Sequence, residues 1–189
     1  MSRAVLYIYR NRQGNTDDIL CRCAEDFMGC ASGTIGTGQI KRTAFGKPEL
    51  PDLPIEVSVS HTGSLLAVLA VSRKTGPVGL DIQLARNVSY LALAKRFFTE
   101  EEYRYTEQHG QTGFYRLWTR KEALTKYLGV PLARTLGAVS LAGESELADI
   151  CRGVRFIELA IDENVFGVAA VRADSKVDLC RKELSEKQS

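Results

Sequence analysis

The segment 114–129, with the sequence FYRLWTRKEALTKYLG, constrains the fold of this chain more than any other. Its apolar residues recur at helical spacing, and Gly129 with the nearby Pro131 is a helix stop signal. Placed at ~100° per residue, the apolar side chains form one stripe, and Lys121 lies in the middle of it. A cation in an apolar stripe is costly unless a negative group meets it. The segment is therefore predicted to be a helix that faces a site as well as a core.

Structural explanations of the same charges stay open at this point. Glu122 and Lys126 are four residues apart in the order that stabilises an exposed helix. Lys121 can also lay its stem along apolar surface and keep its amine in water. The helix alone does not decide between these explanations and a site.

The composition is that of an ordinary soluble protein. A length of 189 residues allows one large domain or two small packed ones, with room for a core. A net charge of +2 gives no general reason to expect nucleic acid or a membrane surface as a partner, so anion binding would have to come from local clusters. The chain has no run of the ~18–20 apolar residues that a transmembrane helix needs. The first residues read as a strand rather than a signal peptide.

The cysteines favour an intracellular setting. Their odd count of five, the size of the core and the missing signal predict reduced thiols and a cytoplasmic location. Cys21 and Cys23 are close in sequence, but no second Cys or His pair stands at zinc spacing. With His61 and His109 as its two histidines, the chain is not expected to hold a histidine-rich metal site.

Periodicity predicts strands and helices along the whole chain. The expected elements up to residue 85 are a strand over 4–9, a helix over 16–28 capped by Thr16 or Asp17, and strands over 55–60, 65–72 and 78–84. Residues 60–63, Ser-His-Thr-Gly, are predicted to form the turn of a hairpin. A hairpin explains Gly63 but not His61, because a hairpin tip does not need an imidazole.

Asp81 interrupts the apolar run of the third of these strands. With a period of two, Asp81 and Gln83 point to the face opposite Leu80 and Ile82. Two oxygen-bearing side chains on one face can together hold a hard cation. An edge strand with a solvated polar face is the alternative.

The second half begins with two helical segments. A helix is predicted over 88–98, and Thr99 to Glu102 form a capping-box pattern that opens the next helix, which ends at His109–Gly110. Glu102 therefore has a structural role as an alternative to a functional one. Further on, strands are predicted over 138–141, 156–161 and 165–171, and a frayed helix in the polar tail from about residue 175.

The strands predicted over 156–161 and 165–171, with a turn at 162–164, form a hairpin similar to the one predicted over residues 57–71. The predicted fold is therefore α+β, with two similar halves, 1–85 and 86–189, related by a pseudo-twofold axis.

Five motifs occur together in residues 45–130. They are GKP (46–48), SHT (60–62), GLDIQ (79–83), RFFTEEEY (96–103) and WTRKEALTK (118–126). In this order and at about this spacing they resemble the 4′-phosphopantetheinyl transferase superfamily, in particular the monomeric type that activates peptide and polyketide synthetases. The resemblance implies transfer of the phosphopantetheine arm of coenzyme A to a serine of an apo acyl or peptidyl carrier protein, with release of 3′,5′-ADP. Coenzyme A and magnesium would lie in the cleft between the two halves.

The resemblance also implies roles for individual residues. The implied magnesium ligands are Asp81 and Glu122, with Gln83 in doubt. The implied phosphate-binding residues are Lys121, Lys126, Ser60 and His61, with Lys47 nearby. Glu122 or a metal-bound water would activate the serine, and Glu102 would be a further ligand or base.

The chain departs from the family pattern at two points. Gln83 stands where the family usually has Glu, so the site carries one negative charge fewer and is expected to bind metal more weakly or to hold a water there. The region before Gly46 lacks the usual basic cluster for the 3′-phosphate of coenzyme A, and candidates are offered by charge alone. They are Arg22, Lys41 and Arg42.

Rival interpretations follow from the same residues. Gln83 keeps open a catalytically degenerate homologue that binds coenzyme A or a carrier protein. A nucleic-acid-binding module would rest on basic residues between 95 and 126, but acids interleave with them and leave no basic face. Basic residues for an acidic carrier protein are suggested by charge alone: Arg96, Arg104 and Arg116.

Overall fold

The computed structural model describes residues 2–10, 14–142 and 153–184. The strands are β1 (Ser2–Tyr9), β2 (Lys41–Arg42), β3 (Pro48–Glu49), β4 (Ile55–Thr62), β5 (Leu65–Ser72), β6 (Gly79–Leu84), β7 (Val154–Glu158), β8 (Val165–Arg172) and β9 (Val177–Leu184). The α-helices are α1 (Thr16–Met28), α2 (Tyr90–Phe97) and α3 (Glu100–Leu128). Short 3-10 turns cover Thr37–Gln39, Arg73–Thr75 and Leu132–Arg134. The predicted α+β class is confirmed.

The strands form two main sheets. The first has the order β4-β5-β1-β9, and the second has the order β6-β8-β7. All neighbours in them are antiparallel except β1 and β9, which are parallel. Strands β2 and β3 make a small antiparallel pair of their own. The strands predicted over 55–60, 65–72 and 78–84 are thus confirmed, with β5 in the interior of the first sheet.

The alternation of side chains in β1 shows how the layers stack. Leu6 and Ile8 pack with Leu80 of β6 in a core between the two sheets. Val5 and Tyr7 belong to a second core between the first sheet and α1. A third core joins the second sheet to α2 and α3. The order of layers is therefore helix, sheet, sheet, helices, and β1 reads as a continuous apolar run because both of its faces are buried.

Helix α1 has the predicted bounds, but its N-terminal cap precedes the two predicted candidates. The side chain of Asn15 accepts a hydrogen bond from the Asp17 N–H, 3.0 Å away, so Asn15 is the cap rather than Thr16 or Asp17. The amide oxygen of Asn satisfies one of the free N–H groups of the first turn as well as a carboxylate does. Gly29, with φ of 71°, ends the helix in the left-handed region.

Helix α3 carries the segment from which the sequence analysis began. Its capping box is confirmed: Thr99 accepts from the Glu102 N–H, and Glu102 accepts from the Thr99 N–H. Gly110, with φ of 61° and ψ of −148°, breaks the helical backbone at the predicted end of the first segment. After this break the helix runs on to Gly129.

Two predictions in the last third of the chain are wrong. Residues 138–141 form no strand, because the Val139 carbonyl and the Leu141 N–H bond to side chains of α3 rather than to a neighbouring strand. The tail from 177 is strand β9 rather than a helix, since it pairs with β1 along its whole length. The strand predicted over 156–161 lies two to three residues earlier, as β7, and the one over 165–171 is confirmed as β8.

Strands pair across the predicted boundary near residue 85. Strand β6 pairs with β8, and β9 pairs with β1. The two halves and their pseudo-twofold relation stay predictions.

Within the described ranges, no helix is both long enough and apolar enough to cross a membrane. The cysteines in these ranges have free thiols: Cys21, Cys23, Cys30 and Cys180.

Candidate active site

Strand β6 lies at one edge of the second sheet, and hydroxyl groups of β4 occupy that edge. The N–H groups of Leu80, Ile82 and Leu84 donate to Ser58 Oγ, Ser60 Oγ and Thr62 Oγ1 at 2.9, 3.1 and 3.0 Å. These side chains take the place of backbone partners and join the two sheets. The interpretation of residues 60–63 as a turn was wrong, because Ser60, His61 and Thr62 belong to β4 and the turn lies at residues 63–64.

Asp81 is buried on β6, beside this row of hydroxyls. Its Oδ1 accepts from Ser60 Oγ at 2.8 Å and from Lys126 Nζ at 2.9 Å. Its Oδ2 is buried and has no hydrogen-bond partner among the residues that the structure describes. A buried carboxylate oxygen without a partner costs free energy, and this oxygen is free to accept a cation or another donor.

Gly79 brings helix α3 against β6. A Cβ atom at this position would lie 1.9 Å from the Ala123 carbonyl oxygen and 2.7 Å from the Tyr127 nitrogen, so no other residue allows this approach. The contact places the turn of α3 that carries Glu122 and Lys126 next to Asp81.

Glu122 and Lys126 complete a charged cluster with Asp81. Besides its bond to Asp81, Lys126 Nζ donates to the Leu80 carbonyl at 2.8 Å. Burial, and next the negative charge of Asp81, raise the pKa of Glu122, while Lys126 opposes the shift. The cluster contains two carboxylates and one ammonium group, which pairs with Asp81, so the cluster has an excess of negative charge.

A cavity of about 220 Å³ opens beside Glu122 and Lys126. Its other walls come from the β2–β3 hairpin and from the chain after α3, and include Thr43, Phe45, Lys47 and residues 129–132.

The donor set of this cluster fits magnesium. The ion is typically held by one or two carboxylates, with further oxygens from substrate phosphates and water. Asp81 and Glu122 supply two carboxylates, and Asp81 Oδ2 is the unpaired oxygen. Gln83 lies two residues further along β6, half-buried, and its amide Nε2 donates to the Leu84 carbonyl at 3.3 Å. In the described part of the chain, no three His, Cys, Asp or Glu residues are grouped to hold a metal.

Lys121 and Glu102 form a separate buried ion pair. Both side chains are fully buried, with 2.9 Å between Lys121 Nζ and Glu102 Oε1. Lys121 also donates to the carbonyls of Thr135 and Val139, and Glu102 Oε1 accepts from the Leu141 N–H. The carboxylate that meets the cation in the apolar stripe thus comes from the same helix. The structure brings neither Lys121 nor Glu102 to the Asp81 cluster, and Lys121 does not reach water.

The other predicted coenzyme A ligands lie on β4 and in the β2–β3 hairpin. His61 is exposed on β4, next to Ser60. The Ser60 hydroxyl is already used twice, as an acceptor from Ile82 and as a donor to Asp81. Lys47 Nζ donates to the carbonyls of Val78 and Lys126. Their contacts with coenzyme A stay predictions.

Sequence reasoning missed the supports of the site. Gly79 was seen only as part of a motif, although its missing side chain decides how closely α3 approaches β6. The residues at 58, 60 and 62 are buried hydroxyls at alternate positions of a strand, which was the available signal for a row of side-chain acceptors.

Comparison with known proteins agrees with these observations. Residues 77–163 match the family model of the 4′-phosphopantetheinyl transferase superfamily. The 4′-phosphopantetheinyl transferase HetI of a Nostoc species is 33% identical over 148 residues, which are 71% of this chain and 61% of HetI. A putative 4′-phosphopantetheinyl transferase of Haemophilus influenzae is 31% identical over 100 residues, 51% of this chain and 43% of that protein. AcpT of Escherichia coli is 34% identical over 91 residues, 44% of this chain and 45% of AcpT.

Over residues 77–163, which hold Asp81, Glu122 and Lys126, the chain matches the 4′-phosphopantetheinyl transferase superfamily, and the relatives named above carry that name. It spans about two fifths to three fifths of the length of the curated relatives that it matches.

Proposed function

We propose that this chain transfers the 4′-phosphopantetheine arm of coenzyme A to a serine of an apo acyl or peptidyl carrier protein. The carrying observation is the cluster of Asp81, Glu122 and Lys126, with its unpaired Asp81 oxygen, in a chain that matches this superfamily. In the reaction, the serine oxygen forms a bond to the phosphorus that bears pantetheine. The bond from that phosphorus to the bridging oxygen breaks, and 3′,5′-ADP leaves.

Asp81 and Glu122 are the proposed ligands of a magnesium ion, and Gln83 would add a neutral amide oxygen as a third. When bound, magnesium would neutralise the pyrophosphate and the charge that develops on the leaving group. The excess negative charge of the cluster supports this assignment. Magnesium binding would also account for two neighbouring carboxylates at one half-buried place in a chain whose net charge is +2.

Glu122 is the proposed acceptor of the serine proton. Its carboxylate lines the cavity beside Lys126, so a serine hydroxyl that enters the cavity could donate its proton to this group. Lys126, which lines the cavity, is the proposed cation for a phosphate oxygen. Its ammonium is already held by Leu80 and Asp81, so it is oriented before a substrate arrives.

The site also bears on oligomeric state and location. Both carboxylates come from one chain, so the cluster does not need a second subunit, and we propose a monomer. Free thiols and the use of coenzyme A fit a cytoplasmic protein.

The proposal is tested by the intact mass of a small apo acyl carrier protein after incubation with this chain, coenzyme A and magnesium. The expected result is a gain of about 340 Da, the mass of the transferred group, which is absent in EDTA. Measurement of 3′,5′-ADP in the same sample should give one molecule per modified carrier.

A second candidate function is a degenerate binding homologue, which Gln83 favours because its amide brings no charge to the cluster. Tight binding of coenzyme A without any mass gain on several acyl and peptidyl carriers would establish this alternative and refute the transferase.

A further inference from the structure

Lys47 makes two internal hydrogen bonds that no phosphate contact requires. Its Nζ lies 2.9 Å from the Val78 carbonyl oxygen and 3.0 Å from the Lys126 carbonyl oxygen. Burial lowers the pKa of its ammonium group, as expected for a side chain that points inward from the β2–β3 hairpin.

The two carbonyls belong to the elements that form the active site. Val78 directly precedes β6, and Lys126 lies in the last turn of α3. The last four carbonyls of a helix have no intrahelical partner, and a cation at this end also interacts favourably with the helix dipole. Lys47 therefore caps α3 from outside the helix and fastens it to the start of β6.

Hydrogen bonds hold both the backbone and the side chain of Lys126. Its backbone is held by Lys47, and its side chain is held by Leu80 and Asp81. Gly79 lies between these attachments, where the helix meets the strand. Glu122 is one turn earlier on the same helix, so its position relative to Asp81 depends on the same contacts.

We infer that Lys47 is a positioning residue that locks the last turn of α3 to β6 and thereby sets the geometry of Asp81, Glu122 and Lys126. This differs from the contact with coenzyme A that the sequence suggested. The inference rests on the proposed transfer reaction.

The test is steady-state kinetics of carrier modification by the Lys47→Met and Lys47→Arg variants, with coenzyme A and with 3′-dephospho-coenzyme A. Lys47→Met keeps the length of the side chain and removes both hydrogen bonds. It is expected to lower kcat by roughly 10- to 100-fold, the effect of a displacement of about 1 Å in an active site. KM for both coenzyme A forms should stay within about 2-fold. Arginine can donate to both carbonyls and should restore part of kcat.

The matched control is Lys74→Met, which removes one charge from an exposed lysine near β6 and should leave kcat unchanged. Melting curves of all variants, with assays well below the melting temperature, separate positioning from stability. If Lys47→Met melts early but keeps its kcat, the residue supports only the fold and the inference is wrong.

A raised KM with unchanged kcat would show that Lys47 binds coenzyme A. A defect seen with coenzyme A but not with 3′-dephospho-coenzyme A would identify the 3′-phosphate as the group that Lys47 binds. Either result would refute the positioning role of Lys47 but not the proposed transfer reaction. If the wild-type chain modifies no carrier, the proposed function fails first, and the positioning role fails with it. If Lys47→Met does not fold, the kcat of Lys47→Arg decides, because a positioning role predicts a partial loss at unchanged KM.

Discussion

The buried pair of Lys121 and Glu102 gives a sharp prediction about stability. Both side chains are fully buried, and Lys121 also donates to the carbonyls of Thr135 and Val139. Removing one partner of such a pair leaves an uncompensated charge and costs about 3–5 kcal/mol. Lys121→Met should therefore lower the free energy of unfolding by about 3 kcal/mol, near the lower limit. The remaining Glu102 carboxylate keeps the N–H groups of Thr99 and Leu141 as donors.

The assay is urea unfolding, combined with a double-mutant cycle. For a chain of this size, a loss of 3 kcal/mol corresponds to a fall of about 6–12 °C in the melting temperature. The double variant Lys121→Met/Glu102→Gln should be less destabilised than the sum of the single variants, by about 2 kcal/mol. Arg104→Met, which breaks the exposed pair with Glu100, is the control and should cost under about 0.5 kcal/mol.

A loss below about 1 kcal/mol in Lys121→Met, typical of an exposed ion pair, would refute this reasoning. The same variant also tests the phosphate contact suggested by the sequence. With a buried Lys121, KM for coenzyme A should be unchanged at a temperature where the variant is fully folded.

Further predictions concern the residues around the cluster. Gly79→Ala should destabilise the fold by at least about 1–3 kcal/mol, because its Cβ would lie 1.9 Å from the Ala123 carbonyl; an unchanged urea midpoint would contradict the close approach. The raised pKa of Glu122 means that its ionised form opposes folding at neutral pH, a cost that is absent below its ordinary pKa of 4.5. Without metal, Glu122→Gln should thus raise the urea midpoint at pH 7 but not at a pH below 4.5. Equal gains at the two pH values would contradict the raised pKa of Glu122. Gln83→Glu adds a charge near Asp81 and should lower the magnesium concentration for half-maximal transfer, and a higher requirement would argue against a shared site.

The long-range packing of the elements was the part that the sequence could not supply. Apolar periodicity was enough for β1, α1, β4, β5, β6, β8 and the two segments of α3. It failed for β9, whose polar residues alternate with Val177 and Leu179 at the sheet edge, because a strand is recognised only when its partner β1 is known. Residues 138–141 looked like a strand, but their backbone groups are bonded by side chains of α3.

The sequence likewise predicted only part of the candidate site. Asp81 could be picked out because its charge interrupts an apolar run, whereas Glu122 and Lys126 were assigned to the site by the resemblance to the family. The sequence could not tell which of two neighbouring lysines reaches the cluster. Lys121 and Lys126 both lie on α3, yet one is paired with Glu102 in the core and the other with Asp81. The direction of a helix face depends on the layer that it packs against, and Gly79 determines that contact here.

The most direct test of the account compares carrier modification by the wild-type chain with modification by Asp81→Asn and Glu122→Gln. The intact mass of the apo carrier protein is measured after incubation with each variant, coenzyme A and magnesium. Glu163→Gln, which changes an exposed carboxylate between β7 and β8, is the matched control. The account predicts a gain of about 340 Da with the wild type and the control, and none with the two folded cluster variants. Full modification by either Asp81→Asn or Glu122→Gln would contradict it.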